Sequence, residues 1–210
     1  MLHLDINTKP AIIQWLRFNK QSVIKGGSPL LSFNEPVDSH APELIYRGLQ
    51  YNYAKFFKMD LISKWAWLGA EALLKTENGY LYDGMDKTKI AIVLQTNHGC
   101  LDVDKRYSET LATIPSPALF VYTLPNIMLG EICIRHGFKG EQACVVSNGF
   151  DVQEMEFWVN DLLNNRGMDA CLCGWVDATA GTHDVCLFWV TKQNAQIVFS
   201  ADAMSVLYNK

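Results

Sequence analysis

Long apolar runs and an excess of positive charge are both missing from this sequence of 210 residues. No apolar stretch reaches the roughly 18 residues that a transmembrane helix requires, so no membrane span is expected. Lysine and arginine number 18 against 22 acidic residues, and the net charge of −4 argues against a general nucleic-acid-binding protein. The first residues lack the basic and apolar regions of a secretory signal, which favours a cytoplasmic protein.

Clustered metal ligands are also missing. The six cysteines form no Cys-x-x-Cys pair, and the five histidines are scattered singly through the chain. Zinc sites need ligands at characteristic short spacings, so the sequence predicts no metal and no other cofactor. Buried, reduced thiols are the state expected in the cytosol.

Short apolar segments alternate with amphipathic segments along most of the chain. Their periodicity predicts helices, two of them with Asp60 and Asp151 as N-caps, at 60–75, 104–113, 125–136 and 151–165. It predicts strands at 89–95, 120–122, 143–146, 170–174, 185–190 and 195–199. Residues 11–16 fit either a strand or a helical turn, and 26–29 and 34–36 are interpreted as loops. This alternation predicts one α/β domain with helices on both faces of its sheet.

Three segments carry a resemblance to a known family, in the order and spacing of that family. They are Tyr53 to Asp60 with the helix that follows, Thr123 to Gly140, and the strand–helix–strand unit at 143–177. Together they resemble the N-terminal half of a β-ketoacyl synthase, a condensing enzyme of the thiolase-like fold, and above all its chain-length-factor-like members. The resemblance is strongest over 45–190. It implies a single ketosynthase-like N-terminal domain over 1–210 with a mixed, mostly parallel sheet, and leaves 1–44 without a role.

The resemblance implies a nucleophilic cysteine at the N-terminus of a buried helix, where the helix dipole would stabilise a thiolate. Counting on from Gly140 places that position at Gly149, which offers no nucleophile. Cys144 is the nearest substitute, but it lies inside a predicted strand. The histidines that decarboxylate the malonyl donor in the family's C-terminal half have no counterpart, since His136 and His183 fit surface structural roles. We therefore expect no catalytic residue.

The resemblance also suggests residues for an acyl pocket and for an interface. The acyl-pocket candidates are Thr123, Asn126, Gly149 and Phe150. Dimers of the family pair the strand before the nucleophile with its twofold mate, and a lone half would expose the apolar face of the following helix. The interface candidates are therefore Cys144, Val145, Val146, Phe157 and Trp158.

The resemblance, together with the missing nucleophile, implies a catalytically silent accessory protein in fatty-acid, polyketide or aryl-polyene biosynthesis. It would form a homodimer, or a heterodimer with a full-length ketosynthase, and shape the acyl pocket. One alternative is an acyltransferase or condensing enzyme that uses Cys144, or Cys100 with His98, in the loop after a buried strand where α/β folds often bind ligands. The other is a module that binds an acyl carrier protein without a covalent bond.

Overall fold

The computed structural model describes residues 9–38, 41–193 and 195–210, and one eight-stranded sheet organises them. The strands are β1 (Ala11–Phe18), β2 (Ser22–Lys25), β3 (Ser28–Ser32), β4 (Ile90–Thr96), β5 (Gln142–Val146), β6 (Ala170–Thr179), β7 (Thr182–Thr191) and β8 (Ile197–Val198). The α-helices are α1 (Pro42–Gly48), α2 (Leu61–Leu74), α3 (Leu101–Thr110), α4 (Pro117–Phe120), α5 (Ile127–His136), α6 (Val152–Asn164) and α7 (Ala201–Tyr208). Two short 3-10 helices lie at Ala54–Lys58 and Lys87–Lys89.

The strand order across the sheet is β3-β2-β1-β7-β6-β4-β5, with β8 also paired to β1. The predicted mixed α/β sheet is confirmed. The expected predominance of parallel pairing is wrong, because among the described residues only β4 pairs in parallel, with β5 and with β6. In the other half of the sheet, β1 pairs antiparallel with β2, and β2 with β3. β7 pairs antiparallel with both β1 and β6. β5 is one outer strand and β3 is the other.

Helices cover both faces of the sheet, as predicted. On one face α2 and α5 pack through Trp65, Leu68 and Ile132, which are fully buried. On the other face α6 packs through Met155 and Val159 against a second apolar cluster. All seven residues of β4 are buried because the strand is covered from both sides. No helix among the described residues is long and apolar enough to cross a membrane.

Local sequence signals fix the helix ends that matter for the site. The Asp60 carboxylate accepts the Ser63 N–H at 3.2 Å and caps α2. Asp151 caps α6 in the same way. Gly137 ends α5 with φ 75°, a left-handed conformation that glycine adopts without strain. The two predicted N-caps are confirmed, and α5 ends at His136 as the predicted range 125–136 does.

Several predicted elements differ from the structure. Residues 120–122 are not a strand, because Ser116 and Pro117 start a short helix that runs into a turn. The predicted loop at 26–29 contains the tight turn of the β2–β3 hairpin, with positive φ at Gly26 and Gly27. Residues 11–16 belong to a strand. The helix predicted at 104–113 begins at Leu101 instead and ends at Thr110.

Candidate functional site

Gly149 lies in the turn between β5 and α6, three residues before the first helical residue. The turn is tied to the sheet because the Ser147 N–H donates to the Thr96 carbonyl at 2.9 Å. The Ser147 hydroxyl donates to the Gly149 carbonyl at 2.8 Å. A Cβ added at Gly149 would meet no atom within 4 Å. A side chain would therefore fit at this position, and its absence is not imposed by packing.

The N-terminus of α6 already holds a negative charge. The Asp151 carboxylate accepts the N–H groups of Gln153 and Glu154 at 3.0 and 2.9 Å. Gln95, buried at the end of β4, accepts the Asp151 N–H at 2.9 Å and donates to the Glu154 carboxylate at 3.2 Å. The Gln95 amide thus links the Asp151 N–H to the Glu154 carboxylate, in place of the direct contact of a capping box. Because two carboxylates surround these donors, the turn disfavours a further anion such as a thiolate or an oxyanion.

Asp177 organises the loop that follows β4. Its carboxylate accepts the Thr96 hydroxyl at 2.9 Å, the Asn97 N–H at 3.1 Å and the His98 N–H at 2.8 Å. It also contacts His98 Nδ1 at 2.7 Å. If that nitrogen carries the proton, the other ring nitrogen is left as an acceptor on an exposed imidazole. Asp177 was not among the predicted site residues, because its only signal is a carboxylate within an otherwise apolar strand.

Neither candidate thiol is activated. Burial, together with the Asp104 carboxylate 3.2 Å away, raises the pKa of Cys100 to about 12. Burial raises the pKa of Cys144 to about 11. The Nδ1 atom of His98 is engaged with Asp177, so the structure does not show a Cys100–His98 pair. Each thiol stays protonated at neutral pH, whereas nucleophilic cysteines require the thiolate.

The four acyl-pocket candidates occupy two different neighbourhoods. Thr123 and Asn126 precede α5, on the face of the sheet that carries α2, and the Thr123 hydroxyl donates to the Phe120 carbonyl. Phe150 packs against the cluster on the other face, with its ring 5.4 Å from that of Tyr208. Gly149 is exposed. Their role in an acyl pocket stays a prediction.

The surface role expected for His136 is wrong, because its side chain is completely buried between α5 and the loop after α2. Its Nδ1 atom lies 2.9 Å from the Tyr82 hydroxyl, and burial lowers its pKa to about 4. It is therefore neutral and gains nothing from the helix dipole. His183 belongs to β7 and not to a loop, and it is half-buried with its ring stacked 4.1 Å from that of Trp65.

Among the described residues, no group of three or more histidine, cysteine or acidic side chains is placed to hold a metal ion. A search of protein-family models found no match to the sequence, and neither did a search of curated proteins.

Solved structures do resemble the chain. The ishigamide ketosynthase/chain length factor superposes with a TM-score of 0.62 at 16% identity, over 90% of this chain and 64% of that one. The ketosynthase ApeO in complex with its chain length factor ApeC from Xenorhabdus doucetiae gives 0.60 at 12% identity, over 96% and 90%. The complex AntDE:AntF, a type II polyketide synthase acyl carrier protein with its hexaketide-bound ketosynthase, gives 0.60 at 11%, over 88% and 62%.

The chain has the fold of the ketosynthases and chain length factors. At these identities the likeness establishes the fold alone. The chain spans less than two thirds of the first and third of these structures, but nine tenths of the chain matched in the Xenorhabdus complex. A ketosynthase-like fold of about this size therefore exists within a ketosynthase–chain length factor complex.

In the described residues of this ketosynthase-like fold, β5 has one edge without a strand. Ile92 N–H donates to the Glu141 carbonyl and Ser147 N–H to the Thr96 carbonyl. The alternation of a parallel ladder therefore turns the backbone groups of Gln142, Cys144 and Val146 away from β4. The Val146 side chain is 62% exposed. The segment before β5 exposes further apolar side chains, namely Phe120, Val121, Leu124 and Ile134.

Helix α6 contributes less apolar surface than expected. Met155, Val159, Leu162 and Leu163 pack on the sheet and are buried, so the predicted exposure of its apolar face is wrong. Phe157 is exposed and Trp158 is half-buried against the same cluster. The other residues along its outer side are polar, namely Gln153, Glu156, Asn160, Asp161 and Asn164.

Proposed function

We propose that this protein is a catalytically silent partner of an active ketosynthase, in the manner of a chain length factor. The observation that carries the proposal is the turn at Gly149, which has room for a side chain but presents none. The helix N-terminus behind it is occupied by the Asp151 carboxylate. Electrostatic stabilisation of a thioester oxyanion needs free donors, and the Gln153 and Glu154 N–H groups are already bonded to that carboxylate.

The edge of β5 supports the partnership. Edge strands of monomeric proteins usually carry lysine, proline or a bulge that blocks pairing with another chain. The sequence Gln142-Ala-Cys-Val-Val has none of these, and its outward backbone groups are unpaired in the described part of the chain. A partner strand would satisfy these groups and cover Val146. We therefore propose β5 as the contact strand to a ketosynthase of fatty-acid, polyketide or aryl-polyene synthesis.

Co-expression tests the partnership with a ketosynthase encoded next to this protein. We expect the two chains to co-purify at equal stoichiometry. Val146→Lys should abolish the complex because an ammonium would be buried at the joined edge. Val206→Lys is the matched control, since Val206 is also 62% exposed but lies on α7. Failure to associate, or equal behaviour of the two variants, would contradict the proposal.

Catalytic silence has its own test. The protein is incubated with an acyl carrier protein loaded with an acyl thioester, and its intact mass is measured. We expect no mass increase, because the thiols of Cys100 and Cys144 stay protonated. A stable acyl adduct that disappears in Cys144→Ala or Cys100→Ala would establish the alternative of an unconventional acyltransferase.

A second candidate function, binding an acyl carrier protein, is favoured by one surface patch. Leu44 and Phe57 are each 50% exposed, and Phe57 packs against Tyr46 of α1. Arg47 and Lys58 are exposed beside them, and neither forms an ion pair with a described residue. An apolar patch with free cations fits an acidic helical partner. Lys58→Glu should weaken binding of an acyl carrier protein, whereas Lys105→Glu on α3 should not.

A further inference from the structure

A separate cleft of about 470 Å³ lies at the carboxyl end of α2, where the β2–β3 hairpin and the segment after α1 converge on it. This volume is within the range of small-molecule sites. Its walls are mainly apolar, formed by Leu30, Leu49, Tyr51, Ala72 and Leu81. Gly149 and the β5 edge are not among its lining residues, so the cleft is distinct from the surfaces discussed above.

Two lysines line the same cleft. The Lys25 ammonium donates to the Ala72 carbonyl at 2.9 Å and to the Lys75 carbonyl at 2.5 Å, which leaves one of its three protons available. The Lys75 ammonium lies 5.2 Å from the centroid of the Tyr51 ring. Burial lowers the pKa of Lys25, so this cation is incompletely hydrated. The acidic residue of the lining is Glu77, which is exposed.

We propose that this cleft binds an amphipathic carboxylate, with its apolar chain against the leucine side chains and its anionic group at the two ammonium groups. The apolar walls would bind the hydrocarbon chain of the carboxylate, because both surfaces are removed from water on binding. The remaining Lys25 proton and the exposed Lys75 ammonium would bind the anionic group. The occupant is thus a small organic acid and not a protein segment.

The test uses octanoate as the probe and octanamide as its neutral counterpart, with binding to the full chain followed by calorimetry and amide chemical shifts. We expect saturable octanoate binding, with shifts concentrated at Leu49 and Leu81. Lys75→Gln should weaken octanoate binding about fivefold, about 1 kcal/mol, and leave octanamide unaffected. Leu30→Ser should weaken binding of both probes, because it removes part of the apolar wall. Leu30 is exposed on the outer strand, so its loss does not disturb the core.

Lys105→Gln on α3 is the matched control, and it should bind octanoate as the wild type does. Absence of saturation at millimolar octanoate would overturn the proposal. So would an octanoate affinity unchanged in Lys75→Gln, or shifts located along β5 instead. None of these outcomes depends on association with a ketosynthase, so the cleft and the proposed function can fail independently.

Discussion

His136 and Asp60 make opposite contributions to the pH dependence of stability, and single variants can separate them. His136 is buried beside Tyr82, and burial lowers its pKa from the usual 6.5 to about 4. As pH falls from 7 to 5 the unfolded chain takes up this proton first. The native state therefore loses about 2 kcal/mol relative to the unfolded state over that interval. The loss continues until the pH falls below the folded pKa.

Asp60 acts in the other direction. Burial at the start of α2 raises its pKa from 3.8 to about 6, although the Ser63 N–H opposes the shift. Between pH 7 and 5 the native state takes up this proton before the unfolded state does. The native state gains about 1 kcal/mol over the interval, which offsets part of the histidine contribution.

Urea unfolding at pH 7, 6 and 5 measures the two contributions. Asp60→Asn keeps an N-cap side chain, and His136→Asn keeps an acceptor for the Tyr82 hydroxyl. On acidification from pH 7 to 5, Asp60→Asn should lose about 1 kcal/mol more stability than the wild type, and His136→Asn about 2 kcal/mol less. The same pH slope in all three proteins would refute the assignment of buried, shifted pKa values.

Three further outcomes are expected. Gly174→Ala should unfold the protein or destabilise it by more than about 3 kcal/mol, since a Cβ at this residue, whose φ is 140°, would lie 2.1 Å from the Cys186 carbonyl oxygen. Gly130→Ala in α5 is the control, because its Cβ meets no atom and the change should be neutral or stabilising. Thermal melting measures both. Asp177→Asn should lower the free energy of unfolding by about 1–3 kcal/mol. It should also increase hydrogen exchange at the Asn97 and His98 amides, which donate to the carboxylate, and unchanged exchange would contradict this anchoring role. Gly149→Cys should fold and react with iodoacetamide with a thiol pKa no lower than the usual value of about 8.5, because carboxylates occupy the helix N-terminus, and a pKa below about 7 would contradict this.

Local signals made the middle of the chain predictable from sequence. Asp60 and Asp151 are N-caps followed by apolar positions at helical spacing, and both helices form where expected. β4 is a run of branched residues that can be buried on both faces, and the structure buries it so. Such signals depend only on residues a few positions apart, so these elements can be predicted without knowledge of the tertiary contacts.

The errors have two causes: a local helix signal was overlooked in one case, and the position of a strand in the sheet decided the other. Residues 120–122 are β-branched or aromatic, as is typical of a strand. However, Ser116 and Pro117 start a short helix just before them. The β2–β3 hairpin was missed because Pro29 resembles a breaker, whereas on an outer strand a residue without an N–H is tolerated.

Long-range contacts account for what was missed at the site. His136 carries a helix-end pattern, yet it is buried by Tyr82, which is 54 residues away in sequence. The contact between Asp177 and His98 spans 79 residues. The interface and acyl-pocket residues were assigned by resemblance, and the geometry alone does not test them.

The pairing of β1 with β7, the central strand of the sheet order, has a consequence for biosynthesis. β1 begins at Ala11 but its neighbour β7 ends at Thr191, so the two paired strands are translated far apart in time. The two halves of the sheet cannot join until β7 has been translated, and pairings between residues so distant in sequence form slowly. During that delay β5 is exposed in a nascent chain, where open strand edges promote aggregation. Synthesis alongside the proposed ketosynthase partner should therefore raise the yield of soluble protein.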